Sequence, residues 1–281
     1  MVPEVSGGGR ALILGSTTSS QPTLSGESLE QYAAQAAGFS VTVASDSTWE
    51  AMTTADFEQY QLLIIGDPDC GDSVGTGTVA YQTAAEWEPA VMSTGGNKLL
   101  LGANPAATYY TGNGYGTGSG PGGDYLPNAV GAKSLVQAGV SWAGSVGGAT
   151  GLYMDLSCTY TTSGNHTTVP ILNGLSSFGS GQFTVTTHDA YGQPNIVNLV
   201  AYSQAMGSLN DNALDWYEPS GQLMFNTFPA DYTMFALAPS DSEGDTVPAG
   251  YCATDVTTGS PVCGLPYILA SGQGLFRQGR R

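Results

Sequence analysis

The sequence predicts an α/β fold built on a doubly wound, mainly parallel sheet, and three observations carry that expectation. ALILGS (11–16), LLIIGDPD (62–69) and KLLLGANP (98–105) are each a continuous aliphatic run closed by glycine and a polar turn. Strands buried on both faces read this way, because helices cover both sides of a parallel sheet. Capped helical stretches lie between the runs, so the chain alternates strand and helix from residue 11 to residue 105.

Residues 1–10 read as an extension ahead of the first strand. Met1-Val2-Pro3 followed by Gly7-Gly8-Gly9 carries no secretory signal and resembles the start of an excised internal segment. After the first strand, SGESLEQYAAQAAG (25–38) predicts a helix from a cap at Ser25 to a closing Gly38. FSVTVAS (39–45) is β-branched and predicts a strand, and SDSTWEAMTTADFEQY (45–60) predicts further capped helical turns. TAAEWEPAVMST (83–94) predicts a helix interrupted by Pro89. The order matches a flavodoxin-like sheet. YYTGNGYGTGSGPGGDYLP is too rich in glycine for either regular structure, and GAKSLVQAGVSWAGS (131–145) resumes as a helix. GLYMDLSCTY (151–160), QFTVTTHD (182–189) and NIVNLVAYS (195–203) read as strands, and LNDNALDWY (209–217) as a short helix. QLMFNTF (222–228) and YTMFALA (232–238) predict a hairpin across Pro229-Ala230-Asp231. Residues 11–240 are thus expected to form the α/β domain, and 241–281 a disulfide-stapled C-terminal arm or linker.

Composition excludes several function classes. Among 281 residues there are 23 acidic and 6 basic ones, a formal charge of −17, and charged residues make up only 10%. Such a chain cannot neutralise a phosphate backbone, so nucleic acid and anionic membrane surfaces are poor partners for it. No stretch reaches the roughly 18 apolar residues of a membrane span, so no membrane insertion is expected. Polarity rests on hydroxyls and amides, a habit of secreted and cell-surface proteins, although a low-charge cytosolic protein has the same appearance. The four cysteines, Cys70, Cys158, Cys252 and Cys263, allow two disulfides in three connectivities. Cys252 and Cys263 enclose a short polar loop that a bridge would staple, leaving Cys70 to pair with Cys158 at long range. No CxxC occurs, which argues against zinc.

Ligands in open α/β sheets gather beyond the carboxyl ends of the strands, so the turns 15–25, 66–78 and 102–110 should share one functional rim. Ser16 and Thr17 open a hydroxyl-rich loop, GSTTSSQPT, of the kind that cradles a flavin phosphate. No helix start follows the glycine, which favours a solvated loop. Gly118, Gly120 and Gly123 spell GxGxxG without the strand–turn–helix context that gives the motif meaning. Asp67, Asp69 and Asp72 gather oxygen ligands suited to calcium, the one cofactor with a place in the sequence. Turn chemistry accounts for the same residues, and no glutamate follows at EF-hand spacing. His188-Asp189 beside the many serines is not read as a hydrolase triad, and Asn165-His166-Thr167 is a glycosylation sequon by spelling. Tyr109, Tyr110, Tyr115 and Tyr125 flank the glycine-rich loop, where rings either stack on carbohydrate or a protein partner, or pack on their own domain.

The LLLG strand with its sharp turn resembles the nucleophile elbow of the class I glutamine amidotransferase-like fold, which places a cysteine after L-G-x. Here Leu101-Gly102-Ala103 is followed by Asn104 and Pro105. QLMFNTFPAD (222–231) is similar to that family's late strand ending in F-H-P-E, with Phe228 and Pro229 present but no histidine or glutamate. An amide supplies no thiolate and no imidazole is at hand to activate one. The resemblance therefore implies the fold without the chemistry, and it extends to noncatalytic modules of large secreted bacterial surface proteins. On this reading Asn104 either shapes the turn or contacts a ligand through its amide. The function expected is a structural or adhesive module of a surface, matrix or filament protein. It would work by association with protein partners, including copies of itself, through loop 109–127 and the C-terminal segment. Two other functions remain open: a secreted hydrolase or transferase with an unrecognised rim site, and a sugar- or flavin-binding module.

Overall fold

The computed structural model describes residues 8–18, 27–66, 77–112, 125–157, 159–160, 164–177, 183–188, 197–214, 222–238 and 250–277. The first half alternates as its sequence requires. β1 (Arg10–Leu14), α1 (Leu29–Ala36), β2 (Ser40–Ala44), α2 (Asp46–Glu50) and α3 (Thr54–Phe57) lead to β3 (Leu62–Ile65). There follow α4 (Val79–Gln82), α5 (Ala84–Thr94), β4 (Lys98–Leu101), α6 (Pro105–Gly112), α7 (Tyr125–Ala143) and β5 (Gly151–Asp155). Caps set the helix starts. Ser28, three residues beyond the expected Ser25, accepts from Gln31 N–H at the start of α1; Ser45 caps α2, and Thr53 forms a capping box with Asp56 before α3. α5 runs unbroken through Pro89 and ends at Gly95, whose φ of 71° suits a residue without a Cβ.

The second half contains β6 (Thr167–Thr168), β7 (Thr184–His188), β8 (Asn198–Leu199), β9 (Ala201–Ser203) and α8 (Asp211–Leu214). It continues with β10 (Gln222–Thr227), β11 (Thr233–Ala238), β12 (Tyr251–Thr254), β13 (Pro261–Ser271) and β14 (Leu275–Arg277). Among the described residues the main sheet runs β2-β1-β3-β5-β4-β13-β11-β8, with β12 paired to β13. The five strands from β2 to β4 are parallel, and β13, β11 and β8 are added antiparallel. The fold is therefore α/β with a large mixed, mostly parallel sheet. β5 lies between β3 and β4, so the parallel order is 2-1-3-5-4 rather than the 2-1-3-4-5 of a flavodoxin-like sheet.

Both faces of β1, β3, β4 and β5 are buried, which is why their sequences do not alternate. Ala11, Ile13, Leu62, Ile64, Leu99 and Tyr153 pack with Leu29, Ala33 and Ala34 of α1 and Leu135, Val136 and Trp142 of α7. Leu12, Leu14, Leu63, Ile65, Leu100 and Met154 pack on the other face with Trp49, Phe57, Trp87 and Val91.

The late strands depart from expectation. β10 and β11 form no hairpin: β10 pairs with β7, which also pairs with β6, and β11 pairs with β13. The stretch 195–203 divides, with β8 joining the main sheet and β9 pairing with β14. The C-terminal segment returns to the middle of the sheet. β13 pairs Ile268 with Leu101 and Leu269 with Leu100, and Tyr267, Ile268, Leu269 and Ala270 are fully buried. At ~1.5–3 kcal/mol for each large apolar side chain, that burial makes β13 part of the core rather than an arm. The Cys252–Cys263 disulfide is formed, joining residues directly opposite one another on β12 and β13. Cys70 and Cys158 lie outside the described residues. No described helix is long and apolar enough to cross a membrane.

Candidate functional site at the strand carboxyl ends

β1, β3, β4 and β5 run in the same direction, so Gly15, Gly66, Gly102 and Leu156 follow their carboxyl ends along one rim. The polar residues of this rim are largely engaged with the chain itself. Thr17 is buried; its Oγ1 donates to Leu14 O at 2.7 Å and accepts from Gly66 N–H at 3.0 Å, tying the end of β1 to that of β3. Gly66 is required there because a Cβ would strike Thr17 O. Ser16, beside it, is exposed.

The start of α1, where a phosphate would be held in a flavin site, is occupied by protein atoms. Leu29 N–H donates to Tyr110 Oη at 2.9 Å, and Gln31 N–H to Ser28 Oγ. Tyr110 is thus a buried link between α6 and α1, and the half-buried Tyr109 meets its ring edge-on at 5.5 Å. Tyr115 lies outside the described residues, as do Asp67, Asp69 and Asp72. Among the described residues no group of three or more His, Cys, Asp or Glu is placed to hold a metal.

The elbow after β4 is packed on all sides. Gly102 N–H donates to Tyr267 O on β13, and Gly102 O accepts from Leu223 N–H on β10. A Cβ at Gly102 would collide with Leu223 O. Asn104 is fully buried, and its Oδ1 accepts from Ala107 N–H at 2.9 Å while its carbonyl accepts from Thr108 N–H. It caps α6, and Pro105 occupies the first helical position, where a missing N–H costs nothing. Of β10, it is Leu223 that touches the elbow. Phe228 packs on Tyr251 with ring centroids 4.9 Å apart, and Pro229 is buried.

Two rim residues escaped the sequence reading. Glu30, in the first turn of α1, and Asp155, the last residue of β5, are both buried acids. Asp155 Oδ1 accepts from both N–H and Oγ of Ser157 at 2.9 Å. The Tyr153 hydroxyl is pushed well above its ordinary value, first by complete burial and then by the negative charges of Asp155 and Glu30. The sequence signal for Asp155 was its place after an apolar run at a strand end; Glu30 looked like an ordinary first-turn helix acid. Beyond the rim, β13 continues past the carboxyl end of β4 and forms with β12 the disulfide-linked hairpin. Comparison with protein-family models, curated proteins and solved structures gives no match.

Proposed function

We propose that this chain is a noncatalytic α/β module, related in design to the amidotransferase-like elbow fold, that acts by association in an extracellular structural or adhesive protein. The observation that carries the reading is the state of Asn104. The residue in the nucleophile's place is fully buried and engaged as the cap of α6. Its amide offers no nucleophilic electron pair comparable to a thiolate. The Cys252–Cys263 bridge supports an oxidising compartment, and the hydroxyl-rich, charge-poor composition supports a surface setting. The test has two arms. Purified protein is assayed for glutamine hydrolysis, where no turnover is expected, and for binding to itself and to the surface of the producing cell, where retention is expected. Turnover abolished by Asn104→Ala overturns the reading, as does a chain that associates with nothing.

A second reading, a hydrolase or transferase, draws on the buried Glu30 and Asp155 near the Tyr153 hydroxyl, since buried carboxyls at a strand-end rim are the groups that acid–base chemistry uses. It requires activity lost in Asp155→Asn without loss of fold.

A further inference from the structure

One edge of the main sheet is β2, which among the described residues pairs only with β1; the short β8 stands at the other end. Ser40 N–H donates to Gly9 O at 2.9 Å, so Ser40 faces β1. In a parallel ladder alternate residues share that direction, which turns Thr42 and Ala44 inward as well. Val41 and Val43 then direct their N–H and C=O groups away from the sheet, two donors and two acceptors in line. Ser40, Thr42 and Val43 are exposed, Val43 at 47%. The strand SVTVA has none of the devices that usually blunt an edge: no lysine, no proline and no inward charge.

We propose that β2 is a self-association edge, and that two copies of this chain pair antiparallel through it about a two-fold axis at Thr42. The proposal rests on the association reading above and names the surface. The symmetry is what selects a second copy as occupant. With Thr42 facing its counterpart as a non-hydrogen-bonded pair, Val41 of each chain meets Val43 of the other as a hydrogen-bonded pair, and all four outward groups on each strand are satisfied. Val side chains then pair across one face of the joined sheet and Thr42 across the other. Charge fits the same register. The strand itself carries no charge, and Asp46, the nearest acid in sequence, lies beyond its end as the first residue of α2. Such a short edge falls below the roughly 1,200 Å² of stable interfaces. The pair is therefore weak, with a dissociation constant on the order of 0.1 mM or above, and gains strength where many copies are held side by side. Because each chain carries a net charge of −17, added salt strengthens it.

The test is sedimentation of the intact chain from about 10 μM to about 1 mM at two salt concentrations, with amide exchange read residue by residue. Mass rising toward the dimer, more so at high salt, with the Val41 and Val43 amides slowing in step, is the expected result. Val43→Pro removes an outward N–H without touching the bonds to β1, and Val43→Lys adds a charge to the edge; both are expected to stay monomeric with unchanged melting temperature. A monomer at every concentration overturns the proposal. Variants that associate as well as the parent chain also overturn it, while leaving association through another surface standing.

Discussion

Glu88, on the inner side of α5, accepts a hydrogen bond from the backbone N–H of Gly174 at 3.1 Å. The carboxyl is nearly buried, and Gly174 leaves it room: a Cβ there would strike Glu88 Oε2. Burial pushes the acid up from 4.5 to about 7, against the opposing pull of the Gly174 bond. The folded chain therefore holds this proton more tightly than the unfolded chain does. Its contribution to stability is complete below about pH 4.5 and is lost as pH rises through about 7. Glu88→Gln keeps an acceptor for Gly174 without the charge. It should match the parent chain near pH 5 and exceed it near pH 8 by up to about 3 kcal/mol, checked by denaturant titration at both values. Equal pH slopes for the two proteins would show that the carboxylate is solvated.

Gly102 should tolerate no side chain. Its Cβ would meet backbone rather than a mobile side chain, at the point where β4, β10 and β13 converge. Gly102→Ala is expected to cost more than about 3 kcal/mol. Gly77→Ala, where a Cβ meets open space, serves as control and should stay within about 0.5 kcal/mol. A mild Gly102→Ala would mean that the elbow can relax.

Removing the Asn104 cap has a smaller cost. Asn104→Ala leaves the half-buried Ala107 N–H without its side-chain acceptor, for a loss of about 1–2 kcal/mol. In a chain of this size that lowers the melting temperature by roughly 2–8 °C. Asn104→Ser, which can also cap, should recover part of it. If Ala and Ser behave alike, capping is not what the residue contributes.

The Cys252–Cys263 bridge closes a sequence separation of 11 residues. Chain-entropy reasoning assigns it about 3 kcal/mol. Both cysteines are exposed, so a mild reductant should open the bridge without prior unfolding. Peptide mapping without reductant should return the 252–263 pair, and the double serine variant should unfold at lower denaturant. An unchanged midpoint would show that the β12–β13 ladder holds the hairpin unaided.

What could be read from the sequence was what is locally encoded. β1, β3 and β4 announced themselves as unbroken aliphatic runs, because a strand covered on both faces has no polar side to display. Ser45 and Thr53 marked their helices through side-chain capping, a relation confined to three residues. Pairing across long intervals carried no such mark. GLPYILAS falls in the expected arm because it follows a linker-like stretch rich in serine, aspartate, glycine, threonine and proline; in the sheet, the β11–β13 register shifts beside Pro266 absorb its irregularity. Pro229-Ala230-Asp231 looked like a hairpin turn, yet the strands on either side find partners elsewhere. At the rim, Asn104 was legible as turn chemistry, whereas Tyr110 capping Leu29 joins residues far apart in sequence and left no trace in either segment.

The place of β13 also sets an order of events. It stands between β4 and β11, pairing Leu100 with Leu269. The parallel strands β1 to β5 emerge from the ribosome long before the segment that covers the outer edge of β4. Until then that edge carries unsatisfied backbone groups and an apolar flank, the features that make nascent sheets prone to wrong pairing. The closing step joins distant parts of the chain and bears the loop-closure entropy that slows such topologies. The sheet is therefore complete only once this C-terminal strand has been made, and β13 acts as its keystone.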